Sequence, residues 1–420
     1  MLFGKKIKLT ISALALCLAA MPGTHAQMRM TMEDAIATAR SQSVEALEAR
    51  QAFISTYWAW RSFRASRLPS LTLYGTLMNY NRSLVLLQNY DNGQLKYASS
   101  NNLQNNLGLK ISQNVTFTGG TVTAYTDLSR IDQFGLKNNL TWYSQPVSIS
   151  YRQPLFAYNQ FKWDKLIEPK EYERGKRIYI EAMEQITISA VEAYNNLIKA
   201  GTNHQIALSN YENTVKMRDV AKERLTLGSV TMDEYLQLEL RMLNDSISIN
   251  ETSVRVRDAQ MTLNSLLGFD ESVEVEPVLD EDLPDIMMDY DMVMEKSLGN
   301  SKFDIANEIN LLNAQSNVAK AKASRGISMS LNARFGLSNT APDIVGSYRN
   351  PLDQEVVGLS FSVPIFDWGL GKGKVQKARA AEAVVRAQVQ QSENDYRRTI
   401  FTAVGQFNNQ ARQCSVSRRA

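Results

Sequence analysis

Residues 147–156 read VSISYRQPLF and residues 357–366 read VGLSFSVPIF. Each alternates apolar with small or polar residues, reaches a proline and closes on an aliphatic–Phe pair. The echo is not isolated. RASRLPSLTL (64–73) returns as KASRGISMSL (322–331), where Ala65, Ser66, Arg67, Ser70 and Leu73 recur 258 positions later as Ala323, Ser324, Arg325, Ser328 and Leu331. Helix-like segments over 31–66 and 289–324 keep that offset, the opening pair stands 210 apart, and AVEAYNN (190–196) returns as AVGQFNN (403–409) at 213. Such self-similarity marks a tandem duplication, here of helix, strand region and helix. The offset falls from 258 to 210, so the first copy carries 48 more residues in its strand region. They include SQNVTFTGG (112–120), a near-echo of the strand-to-helix junction with Val115 in place of proline. This predicts an additional hairpin or a long surface loop, with an even number of strands.

Within each copy the period changes. Thr31 is placed to cap a helix, Glu33 and Asp34 suit its first turn, and Ala35, Ala39, Ala46, Ala49 and Phe53 fall near helical spacing. From Leu68 the period is two. Leu71, Leu73 and Leu77 alternate with Thr72, Tyr74 and Thr76; Leu107, Leu109, Ile111, Val115 and Phe117 alternate with polar residues; Val147, Ile149 and Tyr151 alternate with Ser148, Ser150 and Arg152. Met329 to Phe335 and Val357 to Val363 repeat the pattern in copy two. Strands with one apolar and one polar face suit a membrane barrel and also an ordinary sandwich. From about Glu171 to Leu227 a helix is expected, with Ile178, Ile186, Val191, Tyr194, Ile198, Ile206, Val215 and Val220 as its stripe. Its 57 residues would run roughly 85 Å. LGSVTMDEY (227–235) then reads as a turn, with Gly228 as a C-cap and Thr231 and Glu234 as a capping box, and a second helix runs to Leu267.

The first residues bear on compartment. Lys5, Lys6 and Lys8 precede the apolar run ISALALCLAAM, and Thr24-His25-Ala26 resembles a cleavage site, so 1–26 is expected to be a signal peptide. A lipoprotein signal would need a small residue before its cysteine, and Leu16 precedes Cys17. The remainder holds one cysteine, Cys414, and one histidine, His204, too few for a His/Cys-ligated zinc site or a Cys–His nucleophile. No cofactor, metal site or catalytic residue is expected. A net charge of +3 gives no reason to invoke nucleic acid. Residues 269–290 hold a dense acidic run read as a solvated linker between a first copy (27–268) and a second (291–420).

This arrangement resembles the TolC-like outer-membrane efflux channel family. ASRLPSLTL and ASRGISMSL look like its helix-to-strand junction, RQPLF and SVPIF like its strand-to-helix junction, RLTLGSVTMDEYLQLELRMLNDSISINE (224–251) like its hairpin tip, and MTLNSLLGF (261–269) like the close of its first copy. The resemblance implies a mainly α fold with β. Barrel strands (about 68–156 and 326–364) would join a shared trimeric β-barrel in outer-membrane lipid. A long helical hairpin (165–268) would enter a periplasmic α-barrel. It also implies a homotrimer docked on a periplasmic membrane-fusion adaptor, which connects to an inner-membrane pump. Adaptor contact then falls to Arg224, Leu225, Gly228, Ser229 and Thr231, the strand-to-helix junctions to Pro154, Phe156, Pro364 and Phe366, and the helix-to-strand junctions to Arg67, Pro69 and Arg325. The role implied is a passive exit duct of a tripartite efflux pump; a type I secretion conduit is the alternative.

Copy two departs from the pattern. Copy one takes 114 residues from Pro154 to Gly268, whereas 56 follow Pro364. The expectation is a truncated copy ending thirteen residues or so into its long helix, without a second tip or gate residues and unable to close a normal tube; a non-functional copy is a further alternative. A general diffusion porin would lack the long helix and tip. A secreted enzyme or binding module is disfavoured by the near absence of His and Cys. Asp233 and Glu234 form an adjacent acid pair, for which helix capping is the expected role.

Overall fold

The computed structural model describes residues 28–88, 95–135, 138–279 and 286–418. The expected signal peptide lies outside these residues, as does Asp280–Asp285 of the acidic run. The helices are α1 (Met32–Gln42), α2 (Val44–Ser66), α3 (Gln160–Thr226), α4 (Met232–Leu267), α5 (Tyr290–Asn300), α6 (Phe303–Arg325), the short α7 (Ile344–Ser347) and α8 (Leu370–Ser417). The strands are β1 (Met28–Met30), β2 (Ser70–Gln88), β3 (Leu95–Val115), β4 (Gly120–Gln133), β5 (Asn139–Leu155), β6 (Val275–Pro277), β7 (Ser328–Ala341) and β8 (Leu352–Ser362). No helix among the described residues is long and apolar enough to cross a membrane.

The duplication is visible in the caps. Thr31 and Asp289, 258 apart, are both N-caps: each side chain accepts a backbone N–H three residues on. The helix expected over 31–66 is in fact two helices, and so is its copy. Both break at a serine, Ser43 and Ser301, again 258 apart, with extended backbone at ψ 151° and 159°. Ser43 Oγ accepts the Ala46 N–H (3.0 Å) and Ser301 Oγ the Phe303 N–H (3.3 Å). The hydroxyl offers the next helix a cap that continuous helix would not use. Periodicity survives a break of one residue at Ser43 or two at Ser301 and Lys302, which is why it does not show in the apolar pattern.

The chain divides into two compact units. One comprises residues up to Ile54, Arg177–Met287 and the C-terminal end from Gln410. Its core joins Ala35, Ala39 and Ala46 to Ile186, Ala190, Tyr194, Leu263 and Leu267. β1 and β6 pair in parallel there, Met28 opposite Val275, and the Tyr194 hydroxyl reaches the carbonyls of Met30 (2.9 Å) and Val278 (2.7 Å). Buried Asn264 donates to the Val273 carbonyl (2.8 Å). The start of the acidic stretch is therefore a built part of this core, not a solvated linker, because β6 supplies Val275 to it and Val278, just beyond β6, accepts from Tyr194. The α3 stripe is buried at Ile186 and Tyr194, while Ile178, Ile206 and Val220 stay exposed. The buried core cluster spans α3 from Met183 to Leu197.

The other unit comprises Ser55–Lys176 and Met288–Asn409. It holds a six-stranded antiparallel sheet in the order β2-β3-β4-β5-β7-β8. By the two offsets β7 repeats β2 and β8 repeats β5, so the 48-residue excess of copy one is the β3–β4 hairpin. Three boundaries differ from expectation. Pro154 does not end its strand: it pairs opposite Ser330 inside β5, and Pro364 lies two residues beyond β8. Helix α3 begins at Gln160 and passes through Pro169, because Asn159 Oδ1 caps it by accepting the Lys162 N–H (3.2 Å). Finally, α8 is 48 residues long, not thirteen or so: its copy of the long helix starts at Leu370, far ahead of the AVGQFNN echo.

Candidate functional site

The sheet has two chemically opposite faces. Following the register across all six strands, one row reads Leu71, Ile111, Ala124, Ile149, Phe335, Glu355. The adjacent row on the other face reads Thr72, Lys110, Tyr125, Ser148, Gly336, Gln354. The four-residue α7 packs on the first face at Ser144 and Asn339, whose side chains donate to the carbonyls of Ser347 and Gly346. Away from it Leu71 is 69% exposed and Phe335 50%, and Leu73, Leu107, Leu109, Val147, Val357, Leu359 and Phe361 are bare beside them. Each such side chain forgoes about 1.5–3 kcal/mol that burial would supply, so the face amounts to tens of kcal/mol of unmet hydrophobic burial. Water-soluble monomers rarely carry so large an apolar patch.

The opposite face is rich in Ser, Thr and Asn. Its charged side chains, among those described, are Lys110, Arg152, Arg334 and Asp127. Asp127 accepts from Asn106 Nδ2 (3.3 Å) and Ser129 Oγ (3.0 Å), and Lys110 Nζ sits 5.6 Å from the Tyr74 ring. Gly336 is tightly fitted, since a Cβ there would stand 2.8 Å from the Val147 carbonyl oxygen.

The helix end of the sheet carries exposed aromatics. Phe156, at the predicted junction, is exposed in the left-handed region (φ 62°), and so is Trp368 of copy two (φ 53°). Phe366 packs edge-on against Trp368 at 4.4 Å. Phe117, predicted as a strand residue, instead stands 93% exposed in the β3–β4 turn. Aromatic rings at the edge of an apolar band are the pattern of a membrane–water interface. Trp368 is absent from the sequence-derived site; its signal was an aromatic in the DWG turn, before a glycine at φ 85°. Below it, the Asp367 carboxylate accepts the N–H groups of Gly371 (2.8 Å) and Gly369 (3.0 Å). These bonds, with help from the Arg325 charge, hold its pKa below the usual carboxylate range. Arg67 also lies at a junction: its carbonyl accepts from Gln113 Nε2 (3.0 Å). Pro69 is exposed just before β2 begins at Ser70.

The other predicted residues meet at the α3–α4 turn. The Ser229 N–H and Oγ both bond the Arg224 carbonyl (3.0 and 3.1 Å), and the Gly228 N–H bonds that of Leu225 (3.1 Å). Gly228 sits at φ 72°. Thr231 and Glu234 form the reciprocal capping box, at 3.0 and 3.3 Å. Arg224, Gly228, Ser229 and Thr231 are exposed and Leu225 is half-buried, with Leu227 projecting beside them at 81% exposure. The turn and the sheet lie in different units. His204 Nδ1 contacts Thr252 Oγ1 (3.0 Å) on the neighbouring helix, and the described residues hold no cluster of three potential metal ligands.

No protein-family model matches the chain, and no curated protein matches it. Solved structures do. The CusC transmembrane channel matches with a TM-score of 0.62 at 15% identity, over 92% of this chain and 78% of its own. The outer-membrane channel OprN matches with 0.62 at 16%, over 92% and 76%. The outer membrane protein VceC of Vibrio cholerae matches with 0.60 at 15%, over 92% and 80%. The fold is that of the TolC-like outer-membrane channels, mainly α with a β-sheet.

Proposed function

We propose that the chain is a subunit of an outer-membrane channel, serving as a passive exit duct. The two-faced sheet carries this reading: its bare apolar face suits lipid and its Ser/Thr/Asn face suits water, with interfacial aromatics where strands give way to helices. In this reading three copies share one barrel, and the helices extend into the periplasm. The turn at Arg224, Leu225, Gly228, Ser229 and Thr231 meets a periplasmic adaptor, and an inner-membrane pump behind the adaptor supplies the energy.

Native mass spectrometry of the purified chain in lipid nanodiscs, followed by planar-bilayer recording, tests the duct. Three copies per particle and stepwise, ohmic currents are expected. A monomer that never inserts and passes no current would overturn the reading, as would a closed oligomer without conductance.

A further inference from the structure

We infer that the β3–β4 hairpin is a pore-widening insertion: it is wall, not loop, and it raises the contribution of each copy to a shared barrel from four strands to six. The inference rests on the channel reading above. The internal duplication supplies the reference state, because copy two builds its part of the sheet from β7 and β8 alone, and β2 and β5 are their counterparts. The hairpin lies between those counterparts in chain order and also in the sheet, where β3 pairs β2 along nearly its whole length and β4 pairs β5. It keeps the facial chemistry of its neighbours: Leu109 and Ile111 stand on the bare apolar face, Lys110 and Tyr125 on the polar one. A hairpin folded out as a surface loop, or inward as a plug, would have no reason to preserve that alternation in register with the flanking strands.

Closure follows from the strand count. β2 and β8 are the open edges, and among the described residues neither has a ladder partner on its outer side. Unpaired strand edges are not tolerated in hydrocarbon. Six strands closing on themselves would leave no lumen, since about eight already fill their interior with side chains. Further copies are therefore required. Six is even, so β8 runs antiparallel to β2, and β8 of one copy can pair antiparallel with β2 of the next while every helix leaves on the same side of the membrane. Self-pairing of β2 with β2 about a two-fold axis would put the two helical ends on opposite sides. Head-to-tail pairing is thus the arrangement that closes as a ring. Three copies give about 18 strands, in the range that leaves an aqueous channel, against about 12 without the hairpin.

The test uses the full-length protein with Cys414, an exposed free thiol, replaced by serine. Leu109→Cys and Lys110→Cys are labelled in turn with an environment-sensitive fluorophore in reconstituted vesicles. The Leu109 label should be quenched several-fold more strongly by doxyl-lipid than by aqueous iodide, and the Lys110 label the reverse. Equal iodide quenching at both sites, in vesicles that still conduct, overturns the inference while leaving the channel reading intact. Vesicles of the unlabelled parent that never conduct count against the channel reading itself. As an independent arm, deletion of residues 90–137 restores the loop length of copy two. End-on electron-microscopic views should then show a barrel about one-third narrower, because diameter scales roughly with strand number. An unchanged diameter overturns the inference.

Discussion

Two glycines show how differently one residue type can be required. Gly228 at the helical turn has φ 72° and open space where a Cβ would stand; it is needed for its backbone, not for its size. Gly228→Val forces a β-branched residue into the left-handed region at a cost of roughly 1–2 kcal/mol. It should remodel the turn that holds Arg224 and Ser229. Export should be lost while barrel assembly, read by heat-modifiable mobility, is retained; Gly228→Asn, which tolerates that region, should export normally. Full export by the valine variant would show that the turn is not the adaptor contact. Gly175 in α3 is the converse. Its backbone is helical, but a Cβ would lie 2.4 Å from Thr56 Cγ2. Gly175→Ala should gain up to about 1 kcal/mol of helix propensity and lose about 1–3 to overpacking, a net loss. Adding Thr56→Ser removes the clashing methyl, so the double variant should melt above Gly175→Ala alone. Additive melting shifts would mean that the close approach carries no energy.

At the scale of elements, the start of α3 holds a charge conflict. Asp164 and Glu168 are one helical turn apart, and burial raises the pKa of both; the Asp164 and Glu171 charges raise Glu168 further. A carboxyl whose pKa is raised on folding binds its proton more tightly in the native state, so stability falls as pH rises through that pKa. Glu168→Gln should therefore raise the melting temperature at pH 8 and leave it nearly unchanged at pH 4. A gain of equal size at both pH values would assign the effect to packing. This stretch also shows what was legible beforehand. The α3–α4 turn could be read because its determinants, Gly228, Thr231 and Glu234, lie within seven residues. The two-faced strands could be read because alternation is local. The start of α3 could not, since Pro169 argues against helix and Asn159, its cap, is also held by the carbonyls of Thr116 and Phe117 (both 3.2 Å), more than 40 residues away. The place of the hairpin within the sheet was equally hidden, because strand order is set by pairing over long separations and not by period.

For the molecule as a whole, the polar face sets what a channel built from it would pass. Lys110, Arg152 and Arg334 are cationic there, and Asp127 is the one anion among the described side chains of that face. Arg152 lies opposite Asn332 and Arg334 opposite Ser150, which places the two guanidinium groups on neighbouring rows with no acidic partner among the described residues. Asp127 is occupied by Asn106 and Ser129. In a shared barrel each copy repeats the excess, giving a cationic ring, and rings of one sign select the opposite ion. Currents through the wild-type channel should therefore reverse on the anion side in a potassium chloride gradient. Arg152→Gln with Arg334→Gln should move the reversal potential toward the cation side, and Asp127→Asn should move it further toward the anion side. Both changes should be largest at low ionic strength, where screening is weakest. A wild-type channel that prefers cations, and whose reversal potential ignores all three substitutions, would mean that this face does not line the conducting path.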